Sequence, residues 1–150
     1  MQKMPIRNWI IYWLYGVAAM HLLVGFLLPW IGNLALLDPY HRSIEAVFWP
    51  VNVPAGARGF QVWWISLFGP TIQTLAIWMA ALIYVGDRYR SSFVWLCLAL
   101  GFAVWAPQDI FISLRANAWA YVWVDLSALA SVFPPLGWLW WQDRKQIIHK

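Results

Sequence analysis

The chain has 150 residues, 63% of them hydrophobic and only 11% charged, with a formal net charge of +4. Soluble domains carry about 25% charged residues, and one small core has too little interior for so many apolar side chains, so water is excluded as the solvent for most of this chain. Nucleic-acid binding is excluded as well, because the basic residues stand at the ends of apolar stretches and form no polar-faced cluster to grip phosphates.

The N-terminal Met-Gln-Lys-Met-Pro-Ile-Arg leads into an apolar stretch over 8–31. That stretch exceeds the roughly 7–15 residues of a signal-peptide core and has no small-x-small cleavage site after it, so it reads as a retained first span. A helix needs about 20 apolar residues to cross the hydrocarbon. The stretches over 61–85, 92–114 and 117–141 also qualify, and their continuous, non-alternating apolarity excludes barrel strands. The sequence therefore predicts an all-α integral membrane four-helix bundle, one domain over 1–150.

In the first span His21 is a polar group at mid-depth. The long connection over 32–60 is expected in the outer interface. Within it, Asp38, His41 and Glu45 have i, i+3, i+7 spacing and would share one face of a helix. That trio is a candidate for metal or acid/base work, but it matches no defined zinc signature. The neighbouring Ile44, Val47, Phe48 and Trp49 make an amphipathic interfacial helix the simpler account.

The second span carries Phe68-Gly69-Pro70, a kink signal, followed by Gln73 and the small pair Ala76 and Ala80, whose spacing permits close helix approach. Gly86–Arg90 is expected as a tight charged turn. The third span holds the lone Cys97, which has no partner for a disulfide or thiolate metal site, and then Pro107, Gln108 and Asp109. Arg115 and Ala116 form the next turn, with Asn117 as a helix cap. The fourth span holds Asp125, the small pair Ser127 and Ser131, and Pro134-Pro135. No internal repeat is visible.

The two short turns force antiparallel hairpins, and an even number of spans places both termini on one side. Lys3, Arg7, Arg88, Arg90, Arg144, Lys145 and Lys150 fall on that side, against Arg42, Arg58 and Arg115 opposite. The positive-inside rule then puts both ends in the cytoplasm. Trp positions agree: Trp9, Trp13, Trp95, Trp138, Trp140 and Trp141 gather at one boundary and Trp30, Trp49, Trp63, Trp64 and Trp119 at the other, while Trp78, Trp105 and Trp123 are expected to pack between helices. Small size and composition point to a bacterial inner membrane, with a eukaryotic endomembrane as the alternative.

Asp109 and Asp125 lie at similar depth on either side of the last hairpin. An acid inside the membrane costs about 2.5–3.5 kcal/mol on insertion scales and so marks a functional candidate. Two such groups suit a shared proton, a cation site or an acid/base pair. Interhelical hydrogen bonds with Gln73, Gln108 or His21 are the structural alternative. Together Asp109, Asp125, Gln73, His21 and Gln108 define one candidate outer-half pocket, opened by the proline kinks.

Four spans with cytoplasmic ends, a long first outer loop and helix prolines resemble the emopamil-binding and sigma-2 receptor group in architecture. That group binds ligands partly through carboxylates in its first and second spans, where this chain has none, so the resemblance implies architecture alone. Three functions remain open from the residues: binding or processing of a lipid-like or amphiphilic small molecule in that pocket, an accessory subunit or assembly factor of a larger membrane complex, and a small proton-coupled exporter acting as an oligomer. No nucleophile–base pair, phosphate loop or metal motif names a reaction, a cofactor or a metal.

Overall fold

The computed structural model describes the backbone of residues 6–148 and the side chains of residues 6–145. Every regular element in that range is helical: α1 (Ile6–Ile31), a 3-10 turn (Ala35–Leu37), α2 (Asp38–Phe48), α3 (Ala57–Tyr89), α4 (Ser92–Arg115) and α5 (Trp119–Ile148). Four of them, α1, α3, α4 and α5, are long and apolar enough to cross a membrane.

The helices outrun the apolar stretches that announce them. α3 has 33 residues, about 50 Å at 1.5 Å per residue, against a hydrocarbon core of about 30 Å. Its ends carry Arg58, Gln61, Asp87 and Arg88 on helical backbone. The charged segment expected as a turn is therefore mostly helix: α3 continues through Tyr89, and Arg90 (φ 51°) makes the turn in the left-handed region. Asn117 likewise caps nothing at the start of α5. With φ 53° it ends α4, where the Ala118 amide donates to the Ser113 carbonyl (2.8 Å) and the Asn117 amide to that of Leu114 (3.1 Å). This is a Schellman termination, for which Asn tolerates the left-handed backbone.

α1 packs chiefly on α3, and α4 on α5. The continuous core joining both pairs lies in the half of the bundle that bears the termini: Ile11 to Ala18 of α1, Met79 and Ile83 of α3, Trp95, Leu98 and Phe102 of α4, and Val132, Leu136 and Leu139 of α5. Trp95 belongs to this core and not to a boundary belt. It is fully buried because Gly86 leaves it room; a Cβ there would stand 2.7 Å from the indole. Trp78, Trp105 and Trp123 face outward instead, 66%, 43% and 68% exposed. Smaller neighbours such as Ala76 and Ala106 occupy the contact faces.

A close helix approach occurs at Gly25 and Gly69. A Cβ on Gly25 would meet the Gly69 carbonyl oxygen at 2.7 Å. Proline explains two bonds between helices. Pro29 has no amide hydrogen for the Gly25 carbonyl one turn earlier, and Gln73 Nε2 of α3 donates to that oxygen at 3.2 Å. Pro135 leaves the Ser131 carbonyl free in the same way, and Trp13 Nε1 of α1 donates to it at 2.9 Å.

Candidate functional site

Away from the termini no buried apolar cluster joins the two helix pairs among the described residues, and α2 links them. On one side His41, 1% exposed, sits between α1 and α3: its Nε2 is 2.8 Å from the Gly32 carbonyl oxygen and its Nδ1 is 3.0 Å from Gln61 Oε1. Gln61 Nε2 donates to Glu45 Oε1 (3.3 Å), which orients the amide so that its oxygen faces the ring. Two oxygens therefore face the two ring nitrogens. Arg58 completes the chain, donating through Nε and Nη2 to the two Glu45 oxygens (2.8 and 3.2 Å) and through Nη1 to Asp38 Oδ1 (2.6 Å). The bidentate guanidinium holds the Glu45 carboxyl below the usual carboxylate range.

On the other side Tyr40 reaches α5. Its hydroxyl shares a hydrogen bond with that of Tyr121, and the rings meet edge-on with centroids 5.7 Å apart. Burial pushes the Tyr40 phenol up, so it remains a neutral hydrogen-bonding group.

One turn beyond Tyr121 on the same face of α5 is Asp125, 3% exposed. Its Oδ2 is buried and has no hydrogen-bond partner among the described residues. Asp109 of α4 lies within through-space charge range of both Asp125 and Tyr121. Each Asp is six residues from the hairpin end of its helix, about 9 Å along the axis. The hairpin thus brings the two acids to matching depth, beside the α2 strap.

The other sequence candidates are satisfied elsewhere. His21 Nδ1 lies 2.8 Å from the Val17 carbonyl of its own helix, Gln73 serves the Gly25 carbonyl, and exposed Gln108 donates to Val104 O at 2.7 Å. No hydrogen bond joins them to Asp109 or Asp125 among the described residues. Asp38, His41 and Glu45 do share one assembly, built around Arg58 and Gln61; no group of three or more His, Cys, Asp or Glu among the described residues is arranged to hold a metal. One cavity of about 200 Å³ flanks α3 beside Pro70, lined by Trp64, Leu67, Phe68 and Thr71. Neither acid lines it.

A second polar assembly, unmarked in the sequence, ties all four long helices together at the termini end. Asp143 of α5, fully buried, accepts from Arg7 Nη1 (2.8 Å) and Nη2 (3.2 Å) of α1 and from Trp95 Nε1 (2.8 Å) of α4. Arg7, 5% exposed, also donates to Asp87 of α3 (3.1 Å) and to Gln142 Oε1 (3.1 Å). With the Arg7 guanidinium and the Trp95 indole N–H directed at acceptors, the arrangement is a structural clasp.

Compared with protein-family models, curated proteins and solved structures, the chain has no match.

Proposed function

We propose that this membrane protein binds, or processes, an amphiphilic small molecule whose polar end meets Asp125 and Asp109 in the half of the bundle away from the termini. The observation that carries this reading is the enclosed Asp125 Oδ2 without a partner. Buried polar atoms are almost always paired, and an unpaired carboxylate oxygen in a membrane helix is costly to keep. The hydroxyls of Tyr40 and Tyr121 one turn away add neutral donors and acceptors, and the abundant aromatic surface suits an apolar body. Access requires the α2 strap to part from Tyr121. The excess of basic residues at the termini end supports cytoplasmic termini, with α2 and the acid pair toward the outer face of a bacterial inner membrane.

The test is to purify the wild type and the Asp109→Asn/Asp125→Asn double variant in mild detergent and compare co-purifying lipids and metabolites by mass spectrometry. The reading expects at least one amphiphile to disappear from a variant that retains its helical circular dichroism and monodisperse elution. A folded variant with unchanged content overturns it.

A further inference from the structure

At the termini end, the two described carboxylates, Asp87 and Asp143, are both engaged by Arg7. Arg88, Arg90, Arg144 and Lys145 are all exposed there, and none has a carboxylate within salt-bridge distance among the described residues. The clasp therefore consumes the local acid and leaves a surface of uncompensated positive charge.

Two of these cations sit on aromatic rings at one end of α5. Arg144 Cζ lies 5.1 Å from the centroid of Trp140, and Lys145 Nζ lies 3.5 Å from that of Trp141. Trp140 is also a wall of an apolar cavity of about 200 Å³ between α4 and α5, whose other walls include Leu96, Ala99, Phe133 and Gly137 and whose floor is buried Trp95. Phe133, Gly137, Trp140 and Arg144 follow one another at helical spacing, so a single face of α5 runs from the apolar groove to an exposed guanidinium. Gly137 keeps the groove open: a Cβ there would meet nothing within 4 Å.

We propose that this groove holds an acyl chain of an anionic phospholipid, with the lipid phosphate paired to Arg144 and assisted by Lys145. An apolar slot open to the hydrocarbon matches an acyl chain. Guanidinium binds phosphate through paired N–H donors, and a Trp beneath the cation fixes it at headgroup level. A zwitterionic lipid presents its own ammonium to the cationic surface and is disfavoured.

The experiment is native mass spectrometry of the full chain released from mild detergent, titrated with equimolar phosphatidylglycerol and phosphatidylcholine of identical acyl chains. The wild type is expected to bind one phosphatidylglycerol in preference. Arg144→Gln should lower that preference about fivefold, in line with one cation near an anionic headgroup, while Arg144→Lys retains most of it. Gly137→Leu fills the groove and leaves the cations in place; it should abolish the single tight site. Equal binding of the two lipids by the wild type overturns the proposal. A preference undiminished in Gly137→Leu overturns it too, by assigning the effect to surface charge alone. Arg144 is exposed, so its variants report on lipid even if Gly137→Leu fails to fold.

Discussion

Arg7 and Asp143 illustrate how a charge acquires its meaning from its partner. Arg7 alone at the start of an apolar span reads as one more residue of a basic boundary, yet it is 5% exposed and meets a fully buried carboxylate 136 positions away. A buried ion pair is strongly destabilised when one member is removed, because the survivor is left enclosed and uncompensated. Arg7→Leu should therefore cost about 3–5 kcal/mol, measured by reversible unfolding in mixed micelles. Arg7→Leu/Asp143→Leu should recover part of that loss, short of all of it because the Trp95 indole then lacks its acceptor. An Arg7→Leu variant as stable as the wild type would show that the clasp is open in solution. The residues legible in the sequence were those that break an apolar run: Asp109 and Asp125 stand out because nothing near them in sequence explains a carboxylate. Arg7, Asp87 and Asp143 were illegible as a cluster because each sits in a charged flank where exposure is the ordinary expectation.

At the scale of elements, length and unbroken apolarity made the four long helices readable, while their ends were not, since a helix does not stop where the hydrocarbon does. Proline positions were visible as kinks; where the freed carbonyls go was not, because that depends on a neighbouring helix. Gln73 shows the consequence. It stood out as a polar group for a pocket, and in the structure its amide completes the Gly25 carbonyl left open by Pro29. Gln73→Ala should cost about 1–3 kcal/mol, the penalty of a buried polar group left unmade. In a Pro29→Ala background the residue-29 amide can take over the Gly25 carbonyl, and the same Gln73→Ala change should cost less than half as much. A double-mutant cycle on unfolding free energies reads the difference, and a purely additive result would detach Gln73 from the proline. Gly25→Ala offers a separate check: its Cβ would press on the Gly69 carbonyl at 2.7 Å, so α1 and α3 must shift apart and the thermal midpoint should fall.

Across the whole molecule, the core fastens the four long helices near the termini, and α2 joins the pairs at the other end through His41 on one side and Tyr40 on the other. An amphipathic helix was legible around Asp38 to Phe48; its role as a strap was not, because it depends on Gln61, Gly32 and Tyr121, each from a different element. The ionic part of the strap makes its closure dependent on pH. Arg58 holds the Glu45 pKa below its ordinary 4.5, so the folded state binds fewer protons than the unfolded one and the pair's contribution is complete above that value. It is lost as pH falls through the depressed folded value. Hydrogen-exchange protection of α2, corrected for intrinsic rates, should thus decline as pH falls below about 4.5, while the Leu14 to Ala18 and Val132 to Leu139 segments keep theirs. Glu45→Gln should weaken α2 protection at neutral pH and remove the acid-dependent step. If α2 in that variant still loses protection at the same pH as the wild type, the titrating group is not Glu45 and the strap is held by other contacts.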